Sequence, residues 1–179
     1  VWKSNHNAGR EVLMKEMSRE VGMEIDALTL AVVRQKLLAV SEEIVETMVR
    51  TCFSPLLNQS RDLSAVVLDG EAQVVAQAER TPIHMGAMPF AVRAMAEDFS
   101  GRVGPNDVIM ANDPYWGGSH LPDITLVKPV FCDNKLRFWV AIRAHQSDTG
   151  GISAGGYSPS ATEIFHEGLR IPPVKLVDG

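Results

Sequence analysis

Two strand–turn–strand signals, neither with a helix between its strands, constrain this chain more than any other feature. Residues 63–68 and 73–77 flank Asp69-Gly70-Glu71-Ala72, and residues 124–131 and 136–142 flank Cys132-Asp133-Asn134-Lys135. Short apolar runs separated by such corners read as β-hairpins. Between residues 30 and 48 the apolar Leu30, Val33, Leu37, Val40, Ile44 and Met48 recur every three or four positions, which predicts a long core-facing helix that Asp26 is placed to cap. A second helix is expected over residues 89–99, with Pro89 in its first turn and Phe90, Val92, Met95 and Phe99 on one face. Residues 108–111 read as a short buried strand. Hairpins mixed with helices, without βαβ alternation, give an α+β fold.

Composition narrows the function classes. The 179 residues are 45% hydrophobic and 22% charged, enough for a buried core. Lys and Arg number 17 against 22 Asp and Glu, a net charge of −5, which argues against a nucleic-acid binder that relies on phosphate neutralisation. No apolar run has the roughly 18 residues of a membrane span. Residues 1–22 read as an extension with a short amphipathic pattern and no signal-peptide core. Only two cysteines are present, Cys52 and Cys132, and their wide separation favours a reducing, cytoplasmic setting over a disulfide scaffold. The chain opens on Val1 and closes on Leu176-Val177-Asp178-Gly179, a strand entering a turn, so it is expected to be part of a larger fold.

The chemistry concentrates after residue 111, in Asn112-Asp113-Pro114-Tyr115-Trp116-Gly117-Gly118-Ser119-His120-Leu121-Pro122-Asp123. Glycine and proline at this density indicate a loop with a shaped backbone. Asp123 precedes the first strand of the second hairpin and His145 follows the second strand, so antiparallel pairing brings them side by side, with His120 close by in the turn. Two imidazoles and a carboxylate can hold Zn²⁺, Mn²⁺ or Fe²⁺ with positions left open; ordinary polar loop residues are the simpler account. Asp62, in Arg61-Asp62, is either a fourth ligand or half of an ion pair. His84, in a turn ahead of the second helix, fits a structural hydrogen bond better than catalysis. Asp148, before Thr149-Gly150-Gly151, either orients His145 or caps a turn. His6 and His166 have no cluster around them.

A series of motifs occurs in order: Ser54-Pro55, Arg61-Asp62, Ile83-His84-Met85-Gly86, Asn112-Asp113-Pro114-Tyr115, Gly117-Gly118-Ser119-His120-Leu121-Pro122-Asp123, Arg143-Ala144-His145 and Glu167-Gly168-Leu169-Arg170-Ile171-Pro172-Pro173. From residue 23 to residue 179 the chain resembles the N-terminal part of the hydantoinase B/oxoprolinase family, whose members are longer. The resemblance implies one subunit of an ATP-dependent hydrolase of cyclic amides (hydantoins, 5-oxoproline or lactams), or of a related ketone carboxylase. A hydantoinase A-like ATPase partner would phosphorylate the substrate in a hetero-oligomer. It also implies a divalent metal on His120, Asp123 and His145, with Asp62 a neighbour or ligand and Asp62 or Asp148 as general base. One departure is Gln146-Ser147-Asp148 after His145, where His-Ala-Asp is common.

The leading expectation is therefore the metal-bearing subunit of a cyclic amide hydrolase, with the carboxylase as alternative. Two His and one carboxylate also suit a non-haem iron oxygenase, although the long helix fits a jelly roll poorly. A third class is a non-catalytic module whose ion only ties loops together. No G-x-x-x-x-G-K-[ST] phosphate loop is present. The pairs Gly117-Gly118, Gly150-Gly151 and Gly155-Gly156 are expected to let the backbone approach a metal or substrate.

Overall fold

A computed structural model describes residues 26–78 and 80–179. The extension over residues 1–22, with its amphipathic pattern and His6, lies outside the described residues. The elements run α1 (Ala27–Thr51), α2 (Pro55–Asn58), β1 (Leu63–Asp69), β2 (Val74–Gln77), α3 (Pro82–Asp98), β3 (Val108–Ala111), β4 (Asp123–Cys132), β5 (Lys135–His145) and β6 (Val174–Val177). The strands form one six-stranded sheet in the order β2-β1-β5-β4-β3-β6, antiparallel at every pairing. The α+β expectation holds, and both hairpins form. The second closes on Asp133 and Asn134, both at positive φ, the two-residue corner that matches strand twist.

The chain divides into two compact units, with the boundary inside α1 between Lys36 and Leu37. In the first, Asp26 caps α1: its Oδ1 accepts from the backbone N–H groups of Leu28 and Thr29, each at 2.9 Å. In the second, burial along α1 is narrower than the apolar stripe, because Val40 is exposed while Ser41 and Val45 are fully buried.

Strand alternation separates the two faces of the sheet. Leu63, Ala65 and Ala144 pack with Val45 of α1 and Leu57 of α2. Val66, Leu68, Trp139, Ala141, Val127 and Ile109 turn the other way and pack under Met88, Ala91, Val92 and Met95 of α3. Each Val, Leu, Ile or Met among them, taken fully out of water, contributes about 1.5–3 kcal/mol. No helix among the described residues is long and apolar enough to cross a membrane.

Helix α3 corrects one expectation. It starts at Pro82, with Thr81 extended as its N-cap, and Pro89 lies inside it. Pro82 takes the first-turn position at which a missing N–H costs nothing, so Pro89 is carried as an interior proline. Of the expected inward face Val92, Met95 and Phe99 are buried and Phe90 alone is exposed, while His84, Met88 and Ala91 join the buried side.

The loop after β3 is held by backbone proximity. Gly117 sits at φ 82°, and a Cβ there would lie 2.5 Å from the Ala91 backbone N. Gly118 would meet the Asn112 carbonyl at 2.6 Å. This glycine pair therefore lets the loop approach protein backbone, where the sequence suggested approach to a metal or substrate. Gly150 shares the positive φ, at 84°, but has open space around it.

Two outcomes follow. Gly150→Ala should lose only the left-handed preference, about 1–2 kcal/mol, whereas Gly117→Ala adds a steric overlap of roughly 1–3 kcal/mol; equal melting temperatures for the two variants would contradict this packing. The second concerns β6, whose Lys175 Nζ lies 3.0 Å from buried Asp107. The Gly104 and Gly179 N–H groups and Lys175 lower the Asp107 pKa from 3.8 to about 2. Because the folded pKa is the lower one, the stabilisation is complete above about pH 4 and disappears as pH falls through about 2. The melting-temperature gap between wild type and Asp107→Asn should accordingly close over that interval.

Candidate metal centre

Register assembles the site. Asp123, the first residue of β4, lies directly opposite His145, the last residue of β5. Their side chains are 3.2 Å apart, from His145 Nδ1 to Asp123 Oδ1. The His145 N–H donates to the Asp62 carbonyl at 3.1 Å, which fixes the strand end against the residue before β1. His120 comes from the preceding turn, closed by an Asp123 N–H to His120 carbonyl bond of 3.0 Å. Its Nδ1 lies 2.9 Å from Asp123 Oδ2. One ligand atom from each of His120, Asp123 and His145 lies within 4.8 Å of the others.

A third imidazole joins them. His84, on the first turn of α3, is 1% exposed. Its Nε2 lies 3.2 Å from Asp123 Oδ2 and its Nδ1 3.5 Å from Ser64 Oγ. The Ser64 contact fits the structural role the sequence suggested, while the Asp123 contact places His84 within the cluster. The missed signal was Thr81-Pro82, an N-cap and first-turn pair that puts His84 on a helix. Asp62 is adjacent and partly exposed: its Oδ1 accepts from Thr81 Oγ1 at 3.1 Å, and its carboxylate lies 3.9 Å from His84 Nε2 and from His145 Nδ1. Asp148 stands apart from these contacts. It is exposed, and its Oδ1 accepts from the Gly150 N–H at 2.7 Å, a turn cap.

Beneath the carboxylate lies a polar network. Arg143 is 0% exposed; its Nε donates to Thr125 Oγ1 at 2.8 Å, its Nη1 to Ser119 Oγ at 3.4 Å and its Nη2 to the Gly117 carbonyl at 3.3 Å. Ser119 Oγ in turn donates to Asp123 Oδ2. On the open side, the exposed Tyr157 ring stacks parallel to His145, with centroids 6.3 Å apart, and stands 5.3 Å from His120.

The electrostatics follow. Burial pushes the Asp123 carboxyl pKa up, but the close His120 and His84 imidazoles and the Ser119 hydroxyl bond outweigh it and hold the group far below the usual carboxylate range. Burial likewise opposes a charged His120, and the Asp123 contact overcomes it, raising the imidazole pKa. Burial lowers the Arg143 pKa to about 10, against the pull of Asp123, so the guanidinium remains a cation.

The donor set fits a divalent ion. His120 Nε2 is buried and has no hydrogen-bond partner among the described residues, and the buried Nδ1 has only its 2.9 Å approach to Asp123 Oδ2. Buried polar atoms are rarely left so, and a lone pair on His120 next to an anionic carboxylate and a second imidazole is what a cation satisfies. Two His and one carboxylate suit Zn²⁺, Mn²⁺ or Fe²⁺.

Known proteins share this arrangement of chain. Residues 26–179 match the profile of the family described as hydantoinase B/oxoprolinase. The 5-oxoprolinase PfmaA of Pestalotiopsis fici is 36% identical over 156 residues, which cover 87% of this chain and 12% of that protein. The caprolactamase subunit beta of Pseudomonas jessenii is 40% identical over 152 residues, or 85% of this chain and 26% of the subunit. The crystal structure of the ATP-dependent caprolactamase from that organism superposes with a TM-score of 0.79, covering 86% of this chain and 27% of its own. A nucleotide-free acetone carboxylase, 22% identical, superposes at 0.78 over 92% of this chain and 23% of its own, a likeness of fold. The chain thus spans between about an eighth and a quarter of the relatives it matches. It belongs to the hydantoinase B/oxoprolinase family.

Proposed function

We propose that this chain forms the metal-bearing part of an ATP-dependent hydrolase that opens a cyclic amide, acting with an ATPase partner of the hydantoinase A kind. The observation that carries the reading is the convergence of His120, Asp123 and His145 within 4.8 Å, with His120 Nε2 left without a partner among the described residues. The names of the relatives support the substrate class, one being a caprolactamase subunit and another a 5-oxoprolinase.

His120, Asp123 and His145 would hold the ion. When bound, a divalent ion supplies Lewis acidity, acidifying water and polarising a substrate oxygen. A ring amide resists attack because its nitrogen lone pair is delocalised into the carbonyl. Phosphorylation of the amide oxygen by the partner removes that stabilisation and leaves an activated imidate. Asp62 is the base that takes a proton from the attacking water: it borders the ligand set, is partly exposed, and is oriented by Thr81. His84 holds Asp123 in place from behind, and Tyr157 walls the open side. Asp148 serves its turn.

The alternative is a ketone carboxylase, built on the same ligand set. The lactam reading is preferred because the caprolactamase subunit is 40% identical, whereas the acetone carboxylase likeness rests on fold at 22%. An oxygenase jelly roll does not fit a single six-stranded sheet with helices packed on both faces. A module whose ion merely ties loops together would leave turnover indifferent to the ion.

Two measurements test this. His120→Ala should lose its metal by elemental analysis while its melting temperature stays near wild type. Asp148→Ala should retain metal, because removing a ligand costs far more than the roughly 10–100-fold typical of supporting residues. Full occupancy in His120→Ala would overturn the ligand assignment. The division of labour is tested by ATP turnover: the purified chain should hydrolyse no ATP with lactams, hydantoins or 5-oxoproline, gain substrate-stimulated turnover when the ATPase subunit is added, and lose it to chelator. Turnover that requires bicarbonate and a ketone would select the carboxylase, and turnover by the isolated chain would overturn the need for a partner.

A further inference from the structure

Arg143 and Ser119 take no part in the chemistry proposed above, yet they are built into the site as firmly as its ligands. A guanidinium at 0% exposure is costly to bury, and here none of its hydrogen bonds goes to a carboxylate. Its partners are two hydroxyls and a carbonyl, Thr125 Oγ1, Ser119 Oγ and the Gly117 carbonyl. The compensating negative charge, Asp123, lies one link further on, through Ser119 Oγ. The direction of this link is forced. Every guanidinium N–H is a donor, so Ser119 must accept from Arg143, and its own hydroxyl hydrogen is left to point at Asp123. A serine free to rotate its hydroxyl would choose among acceptors; one held by a fixed cation cannot.

We infer that Arg143 and Ser119 form a positioning relay which holds Asp123 as a metal ligand, with Arg143 hydrogen-bonded to the carboxylate only through the Ser119 hydroxyl. The inference rests on the metal reading above. The relay occupies Asp123 Oδ2, the oxygen that His84 and His120 also approach, and leaves Oδ1 on the His145 side. It thereby fixes which oxygen lone pairs point at an ion. Arg143 further ties the Gly117 carbonyl, so the loop that delivers Ser119 and His120 is anchored to the strand that delivers His145.

The experiment is a double-mutant cycle on metal affinity in the purified chain, using Zn²⁺ against a chromogenic chelator and Mn²⁺ by spin resonance of the free ion. Melting temperatures of the metal-free proteins are recorded alongside. Ser119→Ala should weaken binding about 10–100-fold, the usual effect of a residue that orients a ligand, and leave the metal-free melting temperature close to wild type. Arg143→Lys, which keeps the charge but loses the planar fork, should weaken binding by a similar factor. The double variant should bind no more weakly than the worse single variant, because both changes break the same link. Multiplying losses would overturn the relay and leave two independent effects. Unchanged affinity in Ser119→Ala would overturn it outright, and this variant decides the matter if Arg143→Lys fails to fold. A wild-type chain that binds neither ion would overturn the metal reading itself, and the relay with it.

Discussion

The fold and the site meet in one antiparallel pair, Asp123 opposite His145. A hairpin register is a discrete quantity: a slip of one residue turns every side chain on the strand to the other face of the sheet. Here the register is fixed by the apolar positions. Val127 opposite Ala141 must face α3, and Leu63, Ala65 and Ala144 must face α1 and α2. Two steps of two residues from Ala141 reach His145, and two from Val127 reach Asp123. The hydrophobic core therefore sets the distance between a carboxylate and an imidazole that have no apolar surface to contribute.

The same argument explains why the site lies at one end of one face. On β5 the α3 face reads Trp139, Ala141, Arg143, His145; on β4 it reads Val127, Thr125, Asp123; on β1 it reads Leu68, Val66, Ser64. Each strand passes from apolar to polar in the same direction, and α3 does so too, from Met95 and Met88 to His84. The interface is greasy where it carries stability and hydrogen-bonded where it carries chemistry. Polar groups so buried are retained only if their partners are supplied, and β1, β4, β5 and α3 each supply some.

Much of this could be read from the residues. Hairpin signals and the spacing of His120, Asp123 and His145 were enough to place the three together, because antiparallel pairing needs no long-range information beyond the turn. The start of α3 was harder. Two prolines, Pro82 and Pro89, both suit a first turn, and local chemistry does not choose between them; the packing of Met88 and Ala91 on the sheet does. For that reason His84 was read only as a structural hydrogen-bonding residue and not as part of the cluster. Arg143 was invisible as a buried group, since an arginine in a strand is more often exposed. Only the tertiary face pattern reveals that position 143 lies between Ala141 and His145 on the inner side. The role of Gly117 was equally unreadable, because the backbone it approaches belongs to a helix that is distant in sequence.

Charge balance gives the clearest reason for this particular set of residues. A buried carboxylate and a buried guanidinium each lose several kcal/mol of hydration, and one alone would destabilise the fold. Asp123 and Arg143 offset one another across Ser119, which leaves the interior near neutrality if the imidazoles are uncharged. Asp62 changes that balance: its carboxylate stands within 3.9 Å of His84 and His145, at the partly exposed edge, where water lowers the cost of its charge. The pocket thus presents one buried anion whose charge is largely spoken for and one accessible anion whose charge is not. An ion bound between the imidazoles would draw on both carboxylates, the buried one of Asp123 and the partly exposed one of Asp62.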